Sequence, residues 1–210
     1  MKVLILGAAG EVSRMLTERL LNESDTEITL YARQANSRLK AASERVKIID
    51  GDFHDKSKLV EAMSGVDVVY LNDMRDAQAT QSIVSAMDEA GVKRLIGATV
   101  LGIYDEVTGA FGRWNDAMVG SSAPLYRSAA KAVEDSELDY TLLRLTWLYD
   151  QEGNEEYELT VKGEPFIGAQ VTRQAVARLI MDLLADNTKY ICESLGVSEP
   201  DTDFEKPSFY

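Results

Sequence analysis

The chain has 210 residues, 35 acidic and 22 basic, for a net charge of -13, with one cysteine and one histidine. Such an acidic surface repels nucleic acid and anionic membrane, so neither is expected as a partner. Cys192 and His54 alone cannot make an internal disulfide or a cysteine-rich zinc site, and no metal site is expected. The chain is long enough for one sizeable core and has no Pro- or Ser-rich linker or membrane-length apolar stretch. A single domain over residues 1–210 follows. The apolar run Val3–Leu6 is too short for the core of a secretory leader, so a cytoplasmic location is expected.

Lys2–Leu6 reads as a buried strand and leads directly into Gly7-Ala8-Ala9-Gly10, after which Val12, Met15, Leu16 and Leu20 repeat at helical spacing. A strand that passes through a glycine turn into a helix gathers backbone amides and the helix's positive end at one point, where a pyrophosphate binds. Gly7, Ala9, Gly10, Glu11 and Val12 are therefore candidate cofactor contacts. Two residues depart from the pattern: Ser13 stands where a third glycine or alanine is usual, and Glu11 adds a carboxylate beside the expected anion.

The second strand, Glu27–Tyr31, ends at Tyr31-Ala32-Arg33, where a dinucleotide fold selects its cofactor. An acid there binds a ribose hydroxyl and a base binds a 2′-phosphate; Arg33 offers two guanidinium N–H groups, so NADP is expected, with NADPH preferred over NADH. Five bases lie between Arg33 and Lys47 against the single acid Glu44, and Arg38, Lys40, Arg45 and Lys47 are read as solvated surface. The third strand, Val46–Ile49, precedes Gly51-Asp52-Phe53-His54-Asp55. Asp52 is placed to accept the adenine amino group and Phe53 to line the base. Asp55 is read as the cap of a helix carrying Leu59, Val60 and Met63, and His54 as an ordinary loop histidine. Val66–Leu71 forms the fourth strand, and Asn72 at its end is expected to touch the cofactor ribose or phosphates.

A helix with Ile83, Met87 and Ala90 ends near Gly91, and the fifth strand, Arg94–Thr99, carries Thr99 to the crevice as a cofactor contact and candidate catalytic hydroxyl. Leu101–Ser122 reads as a long loop of functional length, bearing Tyr104, Phe111 and Trp114. With Trp147 and Tyr149 these make an aromatic wall for a flat substrate, and Tyr104, Trp114 and Trp147 are the candidate substrate contacts. Substrate-side elements are expected from residues 101–124 and 146–175. After a sixth strand, Tyr140–Leu145, Thr172 caps a helix with Val176, Leu179, Ile180, Leu183 and Leu184; Lys189–Cys192 reads as a final edge strand and 199–210 as an irregular tail. This alternation predicts an α/β, Rossmann-type doubly wound fold: a mostly parallel sheet with helices on both faces.

Gly7-Ala8-Ala9-Gly10, Arg33, Gly51-Asp52, Lys131 with Glu134 ahead of Leu138–Arg144, and Val171–Ala177 together resemble the atypical short-chain dehydrogenase/reductases of the NmrA-like, NAD(P)H-flavin-reductase-like type. The resemblance spans nearly the whole chain. It implies that Lys131 holds the nicotinamide ribose, and it makes Tyr126, with Lys131 and Thr99, a candidate catalytic group. In catalytic relatives a tyrosine and a lysine four residues apart share a helix face, and the ammonium lowers the phenol's pKa. Tyr126 and Lys131 are five apart, a rotation of about 140° on a regular helix against about 40° for four, so their side chains diverge.

Two readings follow. The first is an NAD(P)H-dependent oxidoreductase that passes hydride to a small planar acceptor such as a flavin or quinone, where charge spreads over a conjugated ring and no tyrosine acid is required. The second is a non-catalytic NADP-sensing regulatory protein of NmrA-like type. The helix over Ser122–Glu137 is a candidate surface for a homodimer.

Overall fold

Strand β1 (Lys2–Leu6) is buried on both faces, with Val3 and Ile5 in one apolar cluster and Leu4 and Leu6 in the other. Side chains alternate across a strand, so only a sheet covered by helices on both sides accommodates such a run. The computed structural model describes all 210 residues and shows that arrangement. Around β1 lie β2 (Glu27–Ala32), β3 (Val46–Asp50), β4 (Val68–Leu71), β5 (Arg94–Val100), β6 (Asp139–Leu145), β8 (Glu158–Val161) and β10 (Glu193–Ser198), in the order β3-β2-β1-β4-β5-β6-β10-β8. All pair in parallel except β8, which runs antiparallel to β10. A separate parallel pair joins β7 (Trp147–Tyr149) to β9 (Gln170–Thr172).

Helices α1 (Glu11–Glu23) and α7 (Arg173–Ala185) cover one face through Val12, Leu16, Leu20, Val176, Leu179 and Leu183. Helices α3 (Lys56–Ala62), α4 (Ala77–Ala90) and α6 (Ala123–Glu134) cover the other through Leu59, Ile83, Met87, Ala129, Ala130 and Val133. The four-residue α2 (Ala35–Arg38) follows β2. Asp55 and Thr172 cap α3 and α7 by accepting the Lys58 and Ala175 amides. The strand order reverses between β1 and β4, which opens a crevice at the strands' carboxyl ends.

Two expectations are corrected. Leu101–Ser122 is not a continuous loop: it holds α5 (Gly109–Val119), whose Phe111 and Asn115, four residues apart, are both buried. Lys189–Cys192 forms turns rather than a strand, because Tyr190 and Cys192 take left-handed backbone conformations with φ of 53° and 58°. The last strand begins at Glu193, directly after that segment, and is internal, since β8 closes the edge beyond it.

Candidate functional site

The turn after β1 is shaped by its glycines. Gly7 has φ of +80°, and its N–H and that of Ala8 both donate to the Tyr31 carbonyl, which ties the turn to the end of β2. Gly10 takes the cap position of α1 without a side-chain cap, and Arg14 is the first residue whose amide reaches back, to the Gly10 carbonyl. The Glu11, Val12 and Ser13 amides are left to face outward at the positive end of the helix. A Cβ on Gly10 would collide with the Asn72 Nδ2, so the backbone of the turn lies against that side chain.

Tyr70 fixes Asn72. Its buried hydroxyl donates to Asn72 Oδ1 at 3.1 Å, and the Asn72 amide is anchored to the Leu6 carbonyl at 3.0 Å. The Asn72 carboxamide thus keeps its N–H₂ end toward the glycine turn.

The crevice encloses about 740 Å³ and gathers residues from the ends of β1 to β4: Gly7, Ala9, Gly10, Arg33, Asp52, Phe53 and Asn72. Tyr31 packs its ring on Phe53, with centroids 6.0 Å apart and planes at 23°, and donates its hydroxyl to the Asp52 carbonyl at 2.8 Å. Burial, then the nearby Asp55, Asp52 and Asp50 carboxylates, push the Tyr31 phenol up to about 12, which keeps it a neutral donor. Asp52 uses one carboxylate oxygen on the His54 amide, at 2.9 Å. Arg33 is exposed at the mouth of the crevice, and the Arg38 guanidinium reaches back to the Arg33 carbonyl at 3.4 Å.

The far wall is the start of α4. Asp76 caps that helix by accepting the Gln78 and Ala79 amides at 2.9 and 3.0 Å and also meets His54 Nε2 at 3.1 Å. The Ala79 amide, followed by the Gln78 amide and His54, holds the Asp76 carboxyl below the ordinary aspartate value.

Among the crevice residues that sequence reasoning did not assign to the site are Arg38, read as solvated surface, His54, read as an ordinary loop histidine, and Arg75 and Asp76, which lead into α4. Arg38 had no periodic signal, since Arg33 lies outside α2 and only the turn at Gln34 lets the Arg38 guanidinium reach the Arg33 carbonyl. His54 had none, because its partner Asp76 lies 22 residues on.

The remaining candidates are placed as follows. The Val12 side chain is in the core, so only its amide faces the site. Glu11 does not stand as a bare charge beside the anion position: its carboxylate pairs with Arg173 Nε at 2.7 Å. Thr99 is buried near the end of β5, its hydroxyl enclosed and without a hydrogen-bond partner, and it is not among the residues that line the crevice, contrary to expectation. Tyr126 and Lys131 diverge as their spacing predicts. Lys131 is not brought to the crevice; it is exposed and pairs with Asp135 at 2.8 Å. Tyr126 packs inward, and burial together with the Asp73 carboxylate pushes its phenol up to about 12.

Tyr104 does not join the aromatic wall. Its hydroxyl donates to Glu134 at 2.6 Å, and its ring lies under the buried Arg144 guanidinium at 5.4 Å. Trp114 and Trp147 do meet, with centroids 4.8 Å apart, and the Trp147 N–H donates to the buried Asn115 at 3.0 Å. Tyr210, from the tail, lies edge-on to both tryptophans at 5.2 and 5.1 Å.

Amides free at a helix start, a carboxamide against the turn, a ring and a carboxylate for a base, and arginines at the mouth define a dinucleotide-binding Rossmann domain. The residues fit such a cofactor. The chain belongs to the family of NAD(P)H-binding proteins, whose model matches residues 7–187. It is similar to a short-chain dehydrogenase/reductase from Veillonella parvula DSM 2008 in complex with NADP, at 38% identity and a TM-score of 0.95 over 99% of each chain. It is similar too to a Rossmann-fold NAD(P)-binding family protein from Shigella flexneri, at 36% identity and a TM-score of 0.83 over 100% of this chain and 98% of that one. Among curated proteins it is 28% identical over 105 residues to (4-alkanoyl-5-oxo-2,5-dihydrofuran-3-yl)methyl phosphate reductase of Streptomyces griseus. That match takes in 49% of this chain and 36% of the Streptomyces enzyme, so the chain spans little more than a third of that relative. The short-chain dehydrogenase/reductase resemblance read from the sequence holds. No helix is long and apolar enough to cross a membrane.

Proposed function

We propose that the protein is an NADPH-dependent oxidoreductase that delivers hydride to a planar conjugated acceptor of the flavin or quinone class. The observation that carries this reading is the setting of Tyr126. Its phenol is raised to about 12 by burial and by Asp73, while Lys131, the cation that would lower it, is held by Asp135 on another side of α6. A phenol in that state is a poor proton donor near neutral pH, and an isolated carbonyl needs such a donor at its oxygen. A flavin or quinone spreads the incoming charge over its rings and takes its proton from water. The nicotinamide of bound NADPH supplies the hydride.

The chain's own residues bind and orient. Arg33, joined by Arg38, grips the 2′-phosphate and sets the preference for NADPH; Asp52 and Phe53 hold the adenine; the Gly7–Val12 turn and Asn72 take the pyrophosphate. The tilted Trp114–Trp147 pair, with Tyr210 edge-on to both, is assigned to the acceptor side.

The test is NADPH oxidation at constant protein with flavins, quinones and simple carbonyls as separate acceptors. Turnover with the flat acceptors and not with the carbonyls is expected. NADPH binding with no acceptor-dependent oxidation would replace this reading with that of a dinucleotide sensor.

A further inference from the structure

The first turn of α1 carries an acid where the site has to attract an anion. Glu11 is the first helical residue, and its own amide is one of the three that face the pyrophosphate position. An uncompensated carboxylate there repels a diphosphate. The chain supplies the compensation from 162 residues away: Arg173, the first residue of α7, places its Nε 2.7 Å from Glu11 Oε2. The same guanidinium uses Nη1 on Asp150 Oδ2 at 3.0 Å. Arg173 is only 21% exposed, whereas Glu11 and Asp150 are 69% and 57% exposed, so the guanidinium is the sheltered member that both acids share.

Its position is set from two sides. The Thr172 hydroxyl caps α7 through the Ala175 amide and donates to the Asn154 carbonyl at 2.7 Å, while Tyr149 and Thr172 are partners in the β7–β9 pair. Arg173 therefore ties the strand pair and the 150–154 turn to the rim of the glycine turn.

We propose that Arg173 is a positioning residue for the cofactor: it cancels the Glu11 charge at the pyrophosphate site and makes dinucleotide affinity depend on the 146–173 segment being in place. The inference rests on the NADP(H)-binding reading of the crevice. Its electrostatics are simple. Removing Arg173 leaves one extra negative charge beside the diphosphate, removing Glu11 leaves one extra positive charge, and removing both restores the starting balance.

The experiment is an NADPH fluorescence titration at low ionic strength on the full chain and on Arg173→Gln, Glu11→Gln and the double variant, with urea unfolding of each as a control. Arg173→Gln should weaken NADPH binding by roughly 10-fold, an effect that shrinks at high salt, as expected for a partly exposed pair. Glu11→Gln should bind at least as tightly as the parent, and the double variant should return to within about 3-fold of it. A double variant as weak as Arg173→Gln overturns the proposal, because the arginine would then act on the cofactor directly or through the fold. So does a Glu11→Gln protein that binds more weakly than the parent, and that arm stands even where Arg173→Gln does not fold. If the parent binds no NADPH, the crevice reading itself fails, and that result is distinct from parent binding with the wrong pattern among the variants.

Discussion

The Tyr70 hydroxyl donates to Asn72 Oδ1 at 3.1 Å from a fully buried position at the centre of the sheet, one residue before the strand end. Burial alone pushes the Tyr70 phenol well above its ordinary value, so it is a neutral donor at every working pH. A buried group thereby decides which end of Asn72 faces the glycine turn. Tyr70→Phe keeps the ring and removes that instruction. NADPH affinity should fall by about 3- to 10-fold, in keeping with one lost hydrogen bond of about 1 kcal/mol. Isothermal titration measures the affinity, and a thermal melt shows that the core is retained.

The arginines at the mouth govern which dinucleotide is held. Arg33→Ala and Arg38→Ala should each weaken NADPH binding by about 10-fold or more while leaving NADH binding within about 2-fold, since only NADPH carries the 2′-phosphate. Parallel titrations with both nucleotides read this out. Equal losses for NADPH and NADH would remove the assignment.

A different kind of damage is expected away from the crevice. Arg144 is fully buried and pairs with Glu106 at 2.6 Å, while Glu106 also accepts the Gly102 and Tyr104 amides at 3.1 and 2.9 Å. Glu106→Ala leaves a buried guanidinium without its counter-ion and frees two loop amides. A loss of roughly 3–5 kcal/mol in urea unfolding is expected, with the 101–108 loop released first in hydrogen exchange.

Tyr126 supplies a pH prediction. With its phenol raised to about 12, the group stays protonated throughout the neutral and mildly alkaline range, so it contributes no titration to the rate there. The pH profile of acceptor reduction should show no phenol ionisation below about pH 10, and Tyr126→Phe should retain activity within about 3-fold. An enzyme that uses a lysine-assisted tyrosine behaves oppositely: its rate follows a depressed phenol pKa, and the phenylalanine variant is dead.

The sequence by itself determined what local spacing governs. Lys2–Leu6, the glycines after it, the Asp55 and Thr172 caps and the alternating apolar runs each depend on residues a few positions apart, and together they are enough for the doubly wound sheet and its crevice. The five-residue step from Tyr126 to Lys131 likewise told which side chains part, because helical rotation is fixed by the backbone. Helix α5 was missed although Phe111 and Trp114 carry the spacing of one turn, since the surrounding glycines and acids read as loop. The final strand was displaced by left-handed turns at Tyr190 and Cys192 that no side-chain pattern announces. Only the tertiary structure decided that Arg173 reaches Glu11, that His54 meets Asp76 and that Tyr210 lies across Trp114 and Trp147. Those pairings depend on which chain ends the completed sheet brings together. Charge and aromatic contact act through space, over separations that no period of 2 or 3.6 residues can encode.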